Sequence, residues 1–126
     1  MTWQVEYTDE FAEWWDTLSK DQRIRMTASV GLLEQRGANL PFPHSSGVGG
    51  SRHGLMRELR VQAGGQPIRV FYAFDPRRVA ILLIGGDKTG RDDFYERLMP
   101  LADRLYDEHL AEIEAEAAKG RQDDGG

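Results

Sequence analysis

Two arginines on neighbouring predicted strands are the residues best suited to chemistry in this sequence. Arg60 lies in a strand-like run over 55–61 and Arg69 in another over 68–74, and the turn-rich segment between them favours an antiparallel pair. A guanidinium is always charged and presents a planar fork of donors that matches a phosphate. Because adjacent strands can bring both guanidiniums to one anion such as a phosphate, the spacing predicts a shared cationic face.

Each arginine also has a purely structural explanation. An arginine on a half-exposed strand is usually solvated or paired with an acid. This explanation fits Arg69 less well, because Arg69 interrupts an otherwise apolar strand where a solvated side chain would need open space. Arg60 shares its strand face with Glu58 and could simply pair with that carboxylate or with one from a helix. A carboxylate beside a phosphate would repel it unless the carboxylate serves as a base.

His53 is a candidate general acid or base, because it stands just before the strand that carries Arg57 and Arg60 and its unperturbed pKa is about 6.5. The alternative is an ordinary histidine of a surface loop. The three histidines, His44, His53 and His109, are scattered and the chain has no cysteine, so no metal-ligand spacing is present. The sequence therefore predicts no metal site.

Charge and composition bound the possible partners. The 126 residues suit one domain. The net charge of −5 is unevenly distributed: residues 52–91 contain eight Arg or Lys and three Asp or Glu, whereas residues 107–126 contain two and seven. No run approaches the roughly 20 apolar residues of a membrane helix. The first residues lack the pattern of a secretory signal and there is no cysteine to cross-link an extracellular fold. We expect a cytoplasmic protein without a membrane partner.

The N-terminal part predicts a strand and a helical hairpin. Alternating residues over 3–7 are typical of a half-buried strand. Thr8 can cap a first helix, and Ser19 with Gln22 forms a capping-box pattern for a second helix that ends at Gly37. The residues expected to face inward are Phe11, Trp14, Trp15 and Leu18, then Ile24, Ala28, Leu32 and Leu33.

The central part predicts a long loop and three strands. Gly, Pro and Ser dominate 37–54, which indicates a segment too polar and flexible to pack as regular secondary structure. Strand-like runs follow over 55–61, 68–74 and 79–84. The last run is apolar throughout, so we expect it in the centre of the sheet with both faces covered.

The C-terminal part predicts a helix from about Phe94, which Pro100 should end or kink. A helical stripe continues to Gly120. We therefore expect one α+β domain over 1–119 and a disordered tail over 120–126.

Several short motifs together resemble the HigB/RelE-type toxins, in particular their phage Gp49-like branch. The resemblance covers Trp3 to about Leu110 and implies a RelE-like compact domain with an N-terminal strand, a helical hairpin, a mostly antiparallel four-stranded sheet and a C-terminal helix. The motifs are Glu58-Leu59-Arg60, Ile68-Arg69-Val70-Phe71-Tyr72-Ala73-Phe74, Leu82-Leu83-Ile84-Gly85-Gly86-Asp87-Lys88-Thr89-Gly90 and Phe94-Tyr95.

The resemblance implies an endoribonuclease that cleaves messenger RNA, usually on the ribosome, without metal or cofactor. Attack of the ribose 2′-hydroxyl on the adjacent phosphate adds negative charge that fixed cations stabilise. Lys88 and Tyr95 match a family basic residue and a family aromatic residue, although a turn lysine and a core aromatic are the structural alternatives. Arg69 matches a family sheet arginine in the same way, and Arg60 is added to give the predicted catalytic set Arg60, Arg69, Lys88 and Tyr95; the predicted RNA-binding set is His53, Arg57 and Arg91.

Ribosome-dependent relatives tend to present lysines where this sequence has Met56 and Glu58. The resemblance also implies an antitoxin partner, typically a helix-turn-helix DNA-binding protein, so that any contact with DNA is indirect. Two alternatives remain open: a ParE-like inhibitor of DNA gyrase, and a degenerate toxin that acts only as co-repressor. A nuclease needs Arg69 and at least one of Arg60 or Lys88 near one phosphate, whereas an inhibitor does not.

Overall fold

A five-stranded sheet in the order β1-β5-β4-β3-β2 organises the fold. The protein is seen in a computed structural model that describes residues 2–124. The strands are β1 (Val5–Tyr7), β2 (Ser45–Gly47), β3 (Arg57–Ala63), β4 (Gln66–Phe74) and β5 (Ala80–Asp87). The helices are α1 (Asp9–Trp15), α2 (Lys20–Arg36) and α3 (Phe94–Asp124), with a 3₁₀ turn at Gly37–Asn39. The predicted α+β class is confirmed, with one strand more than expected.

The sheet is antiparallel except where β1 pairs parallel with β5. α1 and α2 cover one face and α3 covers the other, so β5 is buried on both sides as its apolar sequence predicts. β4 takes the middle position in the strand order, so β5 is an interior strand but not the central one that its sequence predicts. The α1 and α2 side buries Phe11, Met26, Leu33, Leu59, Val61, Val70, Tyr72 and Leu82, and the α3 side buries Met56, Phe71, Ile81, Leu83, Phe94, Met99, Leu105 and Tyr106.

Both predicted helix starts are confirmed. Thr8 Oγ1 accepts a hydrogen bond from the Phe11 amide at 2.9 Å, and Ser19 and Gln22 form the capping box. The predicted inward face of α2 is right for Leu33 but wrong for Ile24, which is 57% exposed, and for Ala28. The core-facing row instead runs through buried Met26, partly buried Val30 and buried Leu33, because residues four and three apart share one helix face. The predicted Leu32 is also partly buried against this core.

The long segment 37–54 is not devoid of regular structure, so that prediction is wrong. β2 lies inside it and pairs antiparallel with β3. The polar composition is compatible with a packed strand because Ser45 is buried with partners: its hydroxyl lies 2.6 Å from Tyr72 Oη and accepts from Arg57 Nε at 3.0 Å.

α3 continues through Pro100, so of the two predicted effects the end of the helix is wrong, and a kink at Pro100 stays a prediction. Proline removes one intrahelical hydrogen bond, but Met99 and Ala102 beside it are buried against the sheet. The helix also passes Gly120 and reaches Asp124, whereas Gly125 and Gly126 lie outside the described residues, so disorder of the predicted tail stays a prediction. Among the described residues, no helix has the length and apolarity required to cross a bilayer.

A buried carboxylate ties α3 to the sheet. Asp75 Oδ2 lies 2.9 Å from His109 Nε2 and accepts from Arg77 Nη2 at 2.7 Å. Burial raises the pKa of Asp75, but hydrogen bonds from Arg77, His109 and two backbone amides outweigh burial, so the pKa lies below its ordinary value of 3.8.

We expect Asp75→Asn to lower the free energy of unfolding at pH 7 by about 1–3 kcal/mol, because charge-assisted hydrogen bonds are lost. Because the pKa of Asp75 is lower in the folded state, its carboxylate stabilises the fold at pH values above its ordinary pKa. This stabilisation is lost as the pH falls through the folded-state pKa. Urea unfolding should therefore show a difference between wild type and variant that is constant above pH 5 and shrinks below about pH 4. A difference that grows on acidification would contradict this assignment.

Candidate active site

The strand register places Arg60 and Arg69 side by side. Arg60 is paired with Arg69 across β3 and β4, and Arg69 is paired with Gly86 across β4 and β5. On the other side, the Arg60 amide donates to the His44 carbonyl at 2.8 Å, next to β2. Four chain segments therefore contribute to one row across the sheet. The chain neighbours of both arginines are buried on the α1 and α2 side, so the arginines themselves lie on the α3 face.

Three donors converge on one oxygen of a buried carboxylate. Glu58 is 2% exposed, and its Oε1 lies 3.3 Å from Arg60 Nη1, 3.4 Å from Arg69 Nε and 3.0 Å from Tyr95 Oη. Arg69 is 6% exposed and donates from Nη1 to the Ile68 carbonyl at 3.0 Å. Its Nε has an ionic contact with Glu58 but no hydrogen-bond partner among the described residues.

Tyr95 in the first turn of α3 and Lys88 directly after β5 complete this group. Burial raises the pKa of Tyr95, and the adjacent Glu58 raises it further, so the phenol stays protonated at neutral pH. Lys88 Nζ lies 5.0 Å from the centre of the Tyr95 ring, a cation–π contact. We call Glu58, Arg60, Arg69, Lys88 and Tyr95 the sheet cluster; it holds three cations and one carboxylate.

A basic cavity of about 400 Å³ adjoins the cluster. Both cluster arginines line it together with Arg25 and His44, and none of the described residues lining it carries a carboxylate. Arg25 also has a loose ion pair with Asp21 at 3.7 Å on the surface. The cavity is therefore suited to an anionic ligand.

A family model described as "Phage derived protein Gp49-like" matches residues 13–107. The chain belongs to the Gp49-like family. Two Mycobacterium tuberculosis proteins, the candidate toxins HigB2 and HigB3, are 35% and 39% identical to it, over 90% and 78% of this chain. The chain spans 58% of the length of HigB2 and 85% of that of HigB3. The resemblance to HigB-like toxins is therefore confirmed.

Solved structures confirm a RelE-like fold. A chain from the archaeal RelE–RelB complex of Pyrococcus horikoshii has a TM-score of 0.53 and 20% identity, with 72% of this chain and 99% of that chain covered. A mutant of the E. coli toxin RelE in the free state has a TM-score of 0.53 and 10% identity, with 76% and 94% covered. At these identities the likeness concerns the fold alone.

The structure does not bring every predicted site residue of this Gp49-like protein to the sheet cluster. His53 Nε2 lies 2.9 Å from Asp107 on α3 and its ring packs on Tyr106. Asp107 is roughly 18 Å along the helix from Tyr95, since each residue adds about 1.5 Å. Arg57 bonds to Ser45 on the opposite face of the sheet.

Arg91 is exposed and its amide donates to the Lys88 carbonyl at 3.2 Å, so it stands at the edge of the cluster. The RNA-binding roles of His53, Arg57 and Arg91 all stay predictions. No group of three or more potential metal ligands was found in the part of the chain that the structure describes, and independence from metal likewise stays a prediction.

Phe42 is the cluster neighbour that sequence reasoning missed. Cζ of Arg60 lies 5.0 Å from the centre of its ring. The available signal was a large aromatic residue between Pro41 and Pro43 inside a polar segment, where no core position was expected.

Proposed function

We propose that this protein is the toxin of a type II toxin-antitoxin pair. It acts as a metal-independent endoribonuclease that cleaves messenger RNA bound to the ribosome. The observation that carries the proposal is the convergence of Arg60, Arg69 and Tyr95 on Glu58 Oε1. A guanidinium has five donor hydrogens. Each arginine therefore keeps donors for a phosphate while it contacts Glu58.

The proposed reaction begins when the 2′-hydroxyl gives its proton to Glu58 and its oxygen bonds to phosphorus. Arg60, Arg69 and Lys88 offset the negative charge that develops on the phosphoryl oxygens. The bond from phosphorus to the 5′ oxygen breaks, and Tyr95, the un-ionised donor of the cluster, supplies a proton to that oxygen. The products are a 2′,3′-cyclic phosphate and a 5′-hydroxyl.

An antitoxin encoded beside the toxin is the proposed regulator. A solved structural neighbour comes from a RelE–RelB complex, and the basic cavity beside Arg60 and Arg69 would attract an acidic segment of such a partner. We propose a helix-turn-helix antitoxin that supplies all contact with DNA.

The test is induced expression of the wild type and Arg60→Ala in a bacterium, with growth followed and messenger RNA 5′ ends mapped. We expect the wild type to stop growth and cut inside translated codons, and Arg60→Ala to cleave about 10²-fold more slowly because one donor to the transition state is lost. Arg104→Ala is the matched control, since Arg104 is exposed on α3 and pairs only loosely with Glu108.

Other results would favour the alternatives. Growth arrest with intact messages and relaxed or broken DNA would indicate inhibition of gyrase. No effect of the wild type on growth or messages, with antitoxin binding retained, would indicate a co-repressor.

A further inference from the structure

Phe42 is an exposed aromatic ring fixed beside the sheet cluster. It is 68% exposed, and its contact with Arg60 involves the guanidinium that reaches Glu58. The segment is ordered by its own backbone, because the Pro41 carbonyl accepts from the amides of His44 at 3.0 Å and Ser45 at 3.1 Å. A ring held in this way loses little conformational entropy when a ligand stacks on it.

The strand order separates Phe42 from Lys88, which lies at the far side of the sheet cluster. Phe42 precedes β2, Arg60 and Arg69 lie on β3 and β4, and Lys88 follows β5. Neighbouring strands are about 4.8 Å apart, so β2 and β5 are separated by about 14 Å. The two arginines therefore lie between Phe42 on one side and the contact of Lys88 with Tyr95 on the other.

We propose that Phe42, backed by Arg60, is a stacking platform for one base of single-stranded RNA next to the phosphate that Arg60 and Arg69 bind. This inference rests on the proposed ribonuclease function and adds a base-binding site to it. Single-stranded RNA is commonly held by aromatic rings and arginine planes, and every base offers a face for stacking. The basic cavity lined by Arg60, Arg69 and Pro43, the last of which follows Phe42 in the chain, favours a polyanion over a neutral apolar segment of a protein.

The first experiment is a binding titration with a short single-stranded RNA, both free in solution and bound to a ribosome. A 2′-O-methyl group at the cleavage site removes the attacking hydroxyl, so that the RNA binds without being cleaved. Stacking on an aromatic side chain contributes about 5- to 150-fold in affinity. We expect Phe42→Ala and Phe42→Leu to lose about that much, and Phe42→Trp to retain wild-type affinity. Tyr7→Ala is the control, because Tyr7 is 64% exposed on the opposite edge strand.

A second titration separates stacking from support of Arg60. One base at a time is replaced by an abasic site, and we expect one position at which the wild type loses affinity but Phe42→Ala loses nothing further. If Phe42→Ala loses as much affinity as the wild type at every abasic position, no base stacks on the ring. That result would overturn the proposal and indicate that the ring only holds Arg60.

The outcomes also distinguish this inference from the function on which it rests. A wild type that binds and cleaves RNA, with Phe42→Ala equal to it, overturns the stacking site alone. A wild type that neither binds nor cleaves RNA on or off the ribosome overturns both. If Phe42→Ala loses affinity for the antitoxin and not for RNA, the ring is a protein contact and the proposal is wrong.

Discussion

Arg69→Gln is expected to lower kcat/KM for message cleavage by about 10²- to 10³-fold, the effect typical of removing one fixed donor from a transition state. The glutamine keeps a polar group against Glu58 but carries no charge. Arg69 is the more buried of the two arginines, so bulk water replaces its charge poorly. The measurement is cleavage of a defined message in a reconstituted translation reaction.

Loss of folding has to be separated from loss of catalysis in that variant. Breaking a buried ion pair destabilises proteins by about 3–5 kcal/mol, and Arg69 and Glu58 are both buried. Arg69→Lys retains the charge without the planar fork, so we expect it to fold with stability near the wild type and to cleave at an intermediate rate. Wild-type cleavage by a folded Arg69→Gln protein would refute the assignment.

The arginine pair was predictable because it depends on local rules. Alternation along a strand and a short antiparallel connection place Arg60 and Arg69 on one face, and the register observed agrees. The same rule puts Arg57, three residues before Arg60, on the opposite face. The sequence therefore already argued against grouping Arg57 with the cluster.

Other parts of the site depend on contacts between distant segments. The proximity of His53 to Asp107 joins a loop to a helix that is far away in sequence, and no local pattern encodes which acid will approach a given histidine. Ser45 in β2 is a similar case, because its polar side chain is tolerated only through Tyr72 and Arg57. Composition alone therefore assigned this segment to a loop.

Glu58 shows how a departure from a family pattern acquires meaning in three dimensions. In the sequence it is a carboxylate at a position where the resemblance to HigB/RelE-type toxins leads us to expect lysine, which predicts repulsion of substrate. In the structure its Oε1 is the common partner of Arg60, Arg69 and Tyr95. The charge expected to oppose RNA binding is therefore also the common partner of the two arginines that we propose to bind RNA.

Glu58→Gln should therefore separate binding from chemistry. We expect kcat for cleavage to fall by about 10²- to 10⁴-fold, the range for loss of a positioned base. Affinity for the 2′-O-methyl RNA should instead rise, because the cluster changes from three cations and one carboxylate to three cations alone. Single-turnover cleavage and equilibrium binding measure the two effects independently.

Glu96→Gln is the matched control for this variant. It removes the same charge from an exposed position in the first turn of α3, beside Tyr95, and should leave kcat unchanged. If Glu58→Gln instead cleaves faster than the wild type, Glu58 is a counter-charge that restrains the arginines and another group accepts the proton. Slower cleavage together with weaker binding would mean that the carboxylate mainly positions Arg60 and Arg69, because the cations then lose their alignment when its charge is removed.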